Sequence, residues 1–214
     1  MYKKKPFFIV FEGVEGCGKS FQSNKLNKKL RSKKIDTILT REPGGTKSSE
    51  LIRNLILKDY FQKNQSDKFD KYTDTLLYLA ARNEHIKNKI KPALKKKKVV
   101  ICDRFTDSTI AYQHFGMGIN LKIINIINRF LLRDIKVNYT FLNVVDKKNL
   151  FQRLKKRKSL NRYDQFDINF YKRVQNGFLK IAKQNSKNYK IIDSNLSIQS
   201  NKKTIIDIVK KLIN

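Results

Sequence analysis

The stretch Phe7-Phe8-Ile9-Val10-Phe11-Glu12-Gly13-Val14-Glu15-Gly16-Cys17-Gly18-Lys19-Ser20 decides the fold. Phe7 to Phe11 is a short apolar run of the kind that forms a buried strand, and a helical pattern starts near Lys19. Between them lie two glycines five positions apart, Gly13 and Gly18, followed by Lys and Ser. This spacing is the phosphate-cradling loop of nucleoside triphosphate binders. Gly13, Gly16 and Gly18 let the backbone turn its N–H groups inward, where side chains would block an anion. Lys19 is placed to reach terminal phosphates, and the Ser20 hydroxyl to ligate Mg2+. The following helix points the positive end of its dipole at the same anions. Residues 13–20, Val14 and Cys17 included, are therefore the expected ATP cradle.

With 214 residues, a single domain spanning 1–214 is expected, large enough for a real core. No apolar run approaches the ~20 residues of a membrane span. Met1-Tyr2-Lys3-Lys4-Lys5 resembles the charged start of an export signal, but the five-residue apolar run ending at Glu12 is too short for one. Two cysteines, Cys17 and Cys102, argue for a reducing, cytoplasmic setting.

The net charge of +30 raises the question of nucleic acid. Of 48 cations only 11 are Arg, Lys is spread through every segment, and no segment interleaves aromatics with a basic patch. A solvated Lys-rich surface is the simpler reading, and nucleic acid is not the expected partner. Where Lys is the default cation, Arg marks places that need its planar fork. Seven of the 11 fall in or beside loops: Arg41, Arg53, Arg82, Arg104, Arg153, Arg157 and Arg162.

Along the chain, strands alternate with helices. Strands are expected at 7–11, 35–39, 99–102, 139–144 and 189–192, and helices at 22–32, 50–57, 72–94 (interrupted near Pro92), 121–132, 147–156, 168–184 and 202–213. Residues 58–71 and 158–165 read as polar connections, the latter uncompacted. This alternation is the mark of an α/β fold with a mainly parallel sheet, whose strand ends bind ligands.

Several stretches then recur in one order: the loop with Glu15 at its third position, Thr40-Arg41-Glu42-Pro43-Gly44-Gly45-Thr46, Leu77-Tyr78-Leu79-Ala80-Ala81-Arg82, Cys102-Asp103-Arg104-Phe105 with Asp107-Ser108-Thr109 and Ala111-Tyr112-Gln113, and Asn161-Arg162-Tyr163-Asp164. Over about residues 7–180 the chain resembles the bacterial thymidylate kinases, P-loop nucleoside monophosphate kinases. The resemblance implies a three-layer fold with a five-stranded parallel sheet flanked by helices, a lid at about 153–166, a homodimer, and transfer of the γ-phosphoryl of ATP to dTMP with Mg2+. It implies that Glu15 lies beside the sugar 3′-hydroxyl, that Tyr78 stacks on the base, and that Arg82 reaches the base edge. Arg53 and Arg104, with Arg41 nearby, are implied as ligands of the acceptor phosphate. Asp103 would join Ser20 at Mg2+, Thr109 and Gln113 would face the base, and Tyr112 would pack near C2′ of the sugar. Because the loop carries no Arg, the catalytic arginine is implied to be in the lid, as Arg157 or Arg162, acting with Lys19, Arg104 and Asp103. Two departures are Met117, where an Arg is frequent, and Phe21, where a small hydroxyl residue is common. Cys17 reads as a packed small residue, with a second expectation that bound ATP protects its thiol from alkylation.

The alternatives are another nucleoside monophosphate or deoxynucleoside kinase and, from a different class, a nucleic-acid-binding P-loop ATPase. The Arg53 and Arg104 pair favours an acceptor that already bears a phosphate. A motor ATPase would show an acid pair where Asp103 is followed by Arg104.

Overall fold

The computed structural model describes residues 5–58, 69–155, 163 and 166–213. Five apolar runs become the strands β1 (Phe7–Glu12), β2 (Thr37–Arg41), β3 (Val99–Asp103), β4 (Tyr139–Val144) and β5 (Tyr189–Asp193). All pair in parallel, in the order β2-β3-β1-β4-β5. Parallel neighbours need long crossovers, and these place helices on both faces. The crossovers contain α1 (Lys19–Ser32), α2 (Lys47–Leu57), α3 (Lys71–His85), α4 (Lys91–Lys95), α5 (Thr106–Thr109), α6 (Leu121–Leu132), α7 (Lys147–Lys155) and α8 (Ile168–Gln184), and α9 (Ile198–Ile213) follows β5. The expected three-layer arrangement with a five-stranded parallel sheet is what forms.

Strand alternation sorts the core. Ile9, Phe11, Val99, Ile101 and Phe141 face Leu26 and Leu30 of α1 and Ile205 and Val209 of α9. Phe8, Val10, Val100 and Cys102 pack on the opposite side with Ile86, Ile90, Ala93 and Phe105. A further apolar cluster joins Tyr112 to Tyr171, Val174 and Phe178 of α8. Among the described residues, no helix is long and apolar enough to cross a membrane.

Helices α1 and α9 start three and four residues earlier than read in the sequence, and three further differences have a visible cause. The second strand is displaced from 35–39 to Thr37–Arg41, because its ladder with β3 runs from Thr37↔Val99 to Arg41↔Asp103. Thr40 and Arg41 are thus strand residues, not loop. Helix α2 starts at Lys47, three residues early, because Thr46 and Ser49 form a reciprocal capping box. The interruption expected near Pro92 is a π-helical turn at Ile86–Ile90, just before it. Proline lacks an N–H and its ring crowds the preceding turn, and a widened turn accommodates both.

Of the two polar connections, 59–68 and most of 156–165 lie outside the described residues. Tyr163 within the second is buried, so that segment is not uncompacted there. Its ring meets those of Tyr78 and Tyr112 edge-on, and its hydroxyl donates to Asp74 at 2.8 Å.

Helix α8 lies against the π-helical segment Ile110–Gly116, and Gly177 permits the approach. A Cβ there would sit 2.5 Å from Phe115 Cδ2 and 2.9 Å from Phe115 Cβ. Gly177→Ala gains about 1 kcal/mol of helix propensity but forces a rigid ring to move, at about 1–3 kcal/mol. The expected outcome is net destabilisation, read as a fall in Tm of about 2–6 °C by calorimetry.

Candidate active site

The β1–β3–β2 registers bring Glu12, Asp103 and Arg41 together at the carboxyl end of the sheet. A cavity of about 460 Å3 opens there. Its wall includes Glu15, Gly16, Gly18, Lys19 and Ser20 from the loop, Arg41 and Arg53, Tyr78 and Arg82, Asp103 and Arg104, and Thr109, Tyr112 and Gln113. The remaining loop residues, Gly13, Val14 and Cys17, are buried behind it. Gly13 has φ +135°, and any side chain there would run into the backbone of Asn143. Arg157 and Arg162 lie outside the described residues.

The Lys19 ammonium is folded against its own loop, donating to Val14 O at 2.7 Å and lying 3.5 Å from Cys17 Sγ. Cys17 is 1% exposed and part of the core. The packed-residue reading therefore replaces the expectation of an alkylatable thiol shielded by ATP, because the sulfur is covered by protein. The loop is braced from the other side too: Ser194 Oγ donates to Cys17 O at 2.7 Å, and Arg153 donates to Gly16 O at 3.2 Å and to Ser194 O at 2.7 Å.

Ser20 donates its hydroxyl to Asp103 Oδ2, so the two oxygens expected at Mg2+ are adjacent on the cavity wall. The described residues contain no cluster of three or more His, Cys, Asp or Glu side chains suited to an ion. One carboxylate and one hydroxyl fit Mg2+, which keeps waters and takes substrate phosphates instead of an all-protein cage.

Arg104 makes four hydrogen bonds within the site. It donates to Gly13 O at 2.7 Å, Glu15 Oε1 at 2.8 Å, Ser108 Oγ at 3.1 Å and the Tyr112 hydroxyl at 3.4 Å. Tyr112 in turn donates to Glu15 Oε2. Burial pushes the Glu15 carboxyl up, but Arg104, Lys19 and the Tyr112 hydroxyl together hold it below its usual value. Arg53 donates to Pro43 O at 2.6 Å. Its guanidinium is depressed by burial and by the neighbouring cations Arg41 and Arg104, only partly offset by Glu50 and Tyr78. Arg41 is exposed and bridges to Glu50 at 3.1 Å. Three arginines thus converge on one side of the cavity, the electrostatic signature of an anion subsite.

Elsewhere on the cavity wall, Tyr78 is half-buried and Gln113 and Thr109 are buried. Arg82 reaches the cavity wall, with most of its donors committed inside the protein. It is 2% exposed, with donors committed to Glu42 Oε2 (2.8 Å), Asn128 Oδ1 (2.9 Å), Phe105 O (2.9 Å) and Thr109 Oγ1 (2.8 Å). Of the five guanidinium donors, one on Nη1 is left for a ligand.

Three residues here had no role assigned in the sequence reading. His85 is fully buried and bridges Glu42 Oε1 (3.0 Å) to Thr40 Oγ1 (2.7 Å), fixing the loop after β2. Its only sequence signal is its place three residues after Arg82. Tyr163 lines the cavity beside Gln113, whose amide lies 3.4 Å from its hydroxyl. Glu12 is fully buried just behind the cavity and accepts from Phe105 N at 2.8 Å and Ser108 Oγ at 2.6 Å.

Residues 11–205 match the family model described as thymidylate kinase. The chain is 38% identical over 205 residues to the thymidylate kinase of Sulfurihydrogenibium sp. (strain YO3AOP1), covering 96% of this chain and 97% of that one. It is 40% identical over 189 residues to that of Geobacillus sp. (strain WCH70), covering 87% and 88%. Its structure is similar to the crystal structure of thymidylate kinase from Ehrlichia chaffeensis, with a TM-score of 0.75 and 35% identity over 96% of this chain and 99% of that chain.

Burial, then the Asp107 charge, pushes the Glu12 carboxyl up to about 7, against the opposing pull of Ser108, Arg104 and the Phe105 N–H. Between its ordinary value of 4.5 and about 7, the folded state holds a proton that the unfolded chain has released. Glu12 therefore favours folding fully below that ordinary value, and the contribution is lost as pH rises through about 7. At about 1.4 kcal/mol per pH unit, the loss is about 3 kcal/mol. Glu12→Gln is expected to flatten the decline of Tm between about pH 5 and about pH 8, as measured by thermal melts across that range; an unchanged slope would contradict it.

Proposed function

The chain belongs to the thymidylate kinase family, transferring the γ-phosphoryl of ATP to dTMP to give dTDP toward dTTP, and on that premise we propose how its residues divide the work. The observation that carries the assignment is one cavity lined both by Lys19 and the loop and by Arg41, Arg53 and Arg104, with Arg104 hydrogen-bonded to Glu15 and Tyr112. Gly13 to Ser20 hold the ATP phosphates. Arg53 and Arg104, with Arg41, hold the dTMP phosphate. Glu15 accepts the sugar 3′-hydroxyl, and Tyr112 crowds the 2′ position. Tyr78 stacks on the base, while Arg82, Thr109 and Gln113 read its edge.

The acceptor is a phosphate monoester, already largely dianionic near neutral pH, so no strong general base is required. The chain's task is to bring two anions together in line and to steady the charge that shifts between them. Lys19 and Arg104 do this from the floor of the cavity. Residues 153–166 form the lid of this single catalytic unit, and Arg157 or Arg162 adds the cation that Glu15-Gly16-Cys17 lacks. Arg153 ties the start of that segment to Gly16. Ser20 and Asp103 hold Mg2+, which when bound supplies neutralising charge at the phosphates. Closure over the cavity keeps water from the transferred group.

The protein is a homodimer in this reading. Leu51 and Leu55 of α2, Tyr72 and Leu76 of α3, and Ile123, Ile126 and Phe130 of α6 leave large apolar side chains exposed, Ile126 at 66%. These helices are neighbours, so the exposed groups form the kind of patch that marks an interface. We place the enzyme in the cytoplasm, as its two unpaired cysteines allow.

The deciding assay compares dTMP, dUMP, a ribose analogue of dTMP and thymidine with Mg2+ and ATP. Phosphorylation of dTMP with little of thymidine is expected; no turnover of dTMP overturns the reading, and preference for thymidine turns it into a deoxynucleoside kinase. Arg53→Ala should raise the KM for dTMP by about 10- to 100-fold, the worth of one charged hydrogen bond, with the KM for ATP nearly unchanged. For assembly, Ile126→Asp should convert dimer to monomer in sedimentation velocity at micromolar protein. A dimer of undiminished stability would place the interface elsewhere.

A further inference from the structure

We propose that Glu12 is the positioning residue of Arg104, gripping the acceptor-phosphate arginine from behind, at the carboxyl end of the sheet. The proposal rests on the reading of Arg104 as a ligand of the dTMP phosphate. Glu12 does not line the cavity, so it acts through its neighbours.

Its two oxygens hold Arg104 by two routes. Oε1 accepts the N–H of Phe105, the next residue, at 2.8 Å, and that of Ser108 at 3.3 Å. Oε2 accepts the Ser108 hydroxyl at 2.6 Å, and the same Ser108 oxygen accepts Arg104 Nη1 at 3.1 Å. One carboxylate therefore fixes both the backbone turn and, through one hydroxyl, the guanidinium.

The turn needs such a grip. Arg104 has φ +70°, a left-handed conformation that costs a non-glycine residue on the order of 1 kcal/mol or more and persists only where its surroundings enforce it. Its own N–H donates to Phe11 O at 2.9 Å, and the Cys102 thiol donates to its carbonyl at 3.0 Å. Glu12 supplies the remaining constraint, on the far side of the turn.

The arrangement is costly in itself. Glu12 is fully buried, and Asp107 of α5, tied to the Tyr189 hydroxyl of β5, presents a second carboxyl to it. Arg104 is the cation that answers it. A neutral side chain of the same shape would sit here more cheaply. A group that lowers stability while aiming a site cation is the pattern of a functional constraint.

The test separates aim from stability. Glu12→Gln keeps the shape, removes the charge, and presents Ser108 with a donor in place of an acceptor. The expected result is a KM for dTMP about tenfold higher, weaker dTMP binding by calorimetry without ATP, an ATP KM within about twofold, and a Tm at about pH 8 that is equal or higher. A merely structural residue would not give a protein that is as stable but binds one substrate worse. Ser108→Ala cuts only the hydroxyl route and should show the same split, smaller; the double variant should be no worse than Glu12→Gln alone, since both lie on one path. Arg104→Lys is the control. If it leaves the dTMP KM unchanged, the reading of Arg104 fails and the proposal with it. If it raises that KM while Glu12→Gln and Ser108→Ala do not, the positioning role alone is overturned. Equal effects on both substrates, or additive losses in the double variant, overturn it as well.

Discussion

The constraint on which the structure depends is the register of β1 between β3 and β4. Phe11 pairs with Asp103 on one side and with Phe141 on the other. That alignment puts the phosphate loop, the Asp103–Arg104 turn and the end of β2 at one level of the sheet. A slip of one residue would turn every side chain to the opposite face. Phe8 and Val10 would then face the α1 and α9 side, and Arg104 would no longer meet Gly13 O. The layout of the site is thus fixed largely by apolar packing on the two faces of the sheet.

Charge is distributed on two plans. Lysines dominate a chain of net charge +30, and most stand in solvent. Around the cavity the rule reverses. Glu42 pairs with Arg82 and Glu15 with Arg104, Glu12 and Asp103 accept from Ser108 and Ser20, Arg41 bridges to Glu50, and Arg53 donates to Pro43 O. Buried charges are tolerable only in such partnered form. The scarcity of Glu and Arg in the sequence, against abundant Lys, reflects that division.

Much of this was legible in the residues. Periodicity placed the five strands and the long helices, and the loop motif located the cavity. What escaped had a non-local cause. Thr40 and Arg41 look like loop residues until the ladder with Cys102 and Asp103 draws them into β2. His85 gains meaning only when folding sets it against Glu42 and Thr40, over 40 positions earlier. Arg82 was found, but its commitments to Glu42, Asn128 and Phe105 come from three separate segments. Glu12 looked like an acid closing a strand, and its burial is a property of the packed sheet and not of its neighbours in sequence. Tyr163 sits in a polar stretch whose composition conceals one buried ring.

Arg104 already has four acceptors within reach before any substrate arrives. In the proposed role of Arg104, an incoming phosphate meets one uncommitted donor, Nε–H, and for a second bond trades places with Gly13 O or Glu15. The net gain of such an exchange is the difference between two charge-assisted bonds, far less than either alone. The same accounting holds in reverse when the product leaves, since the arginine falls back onto partners that wait for it. On the proposed reading of Arg104, a site that solvates its own cation in this way would keep its grip on the acceptor shallow and leave turnover unhampered by tight ground-state binding.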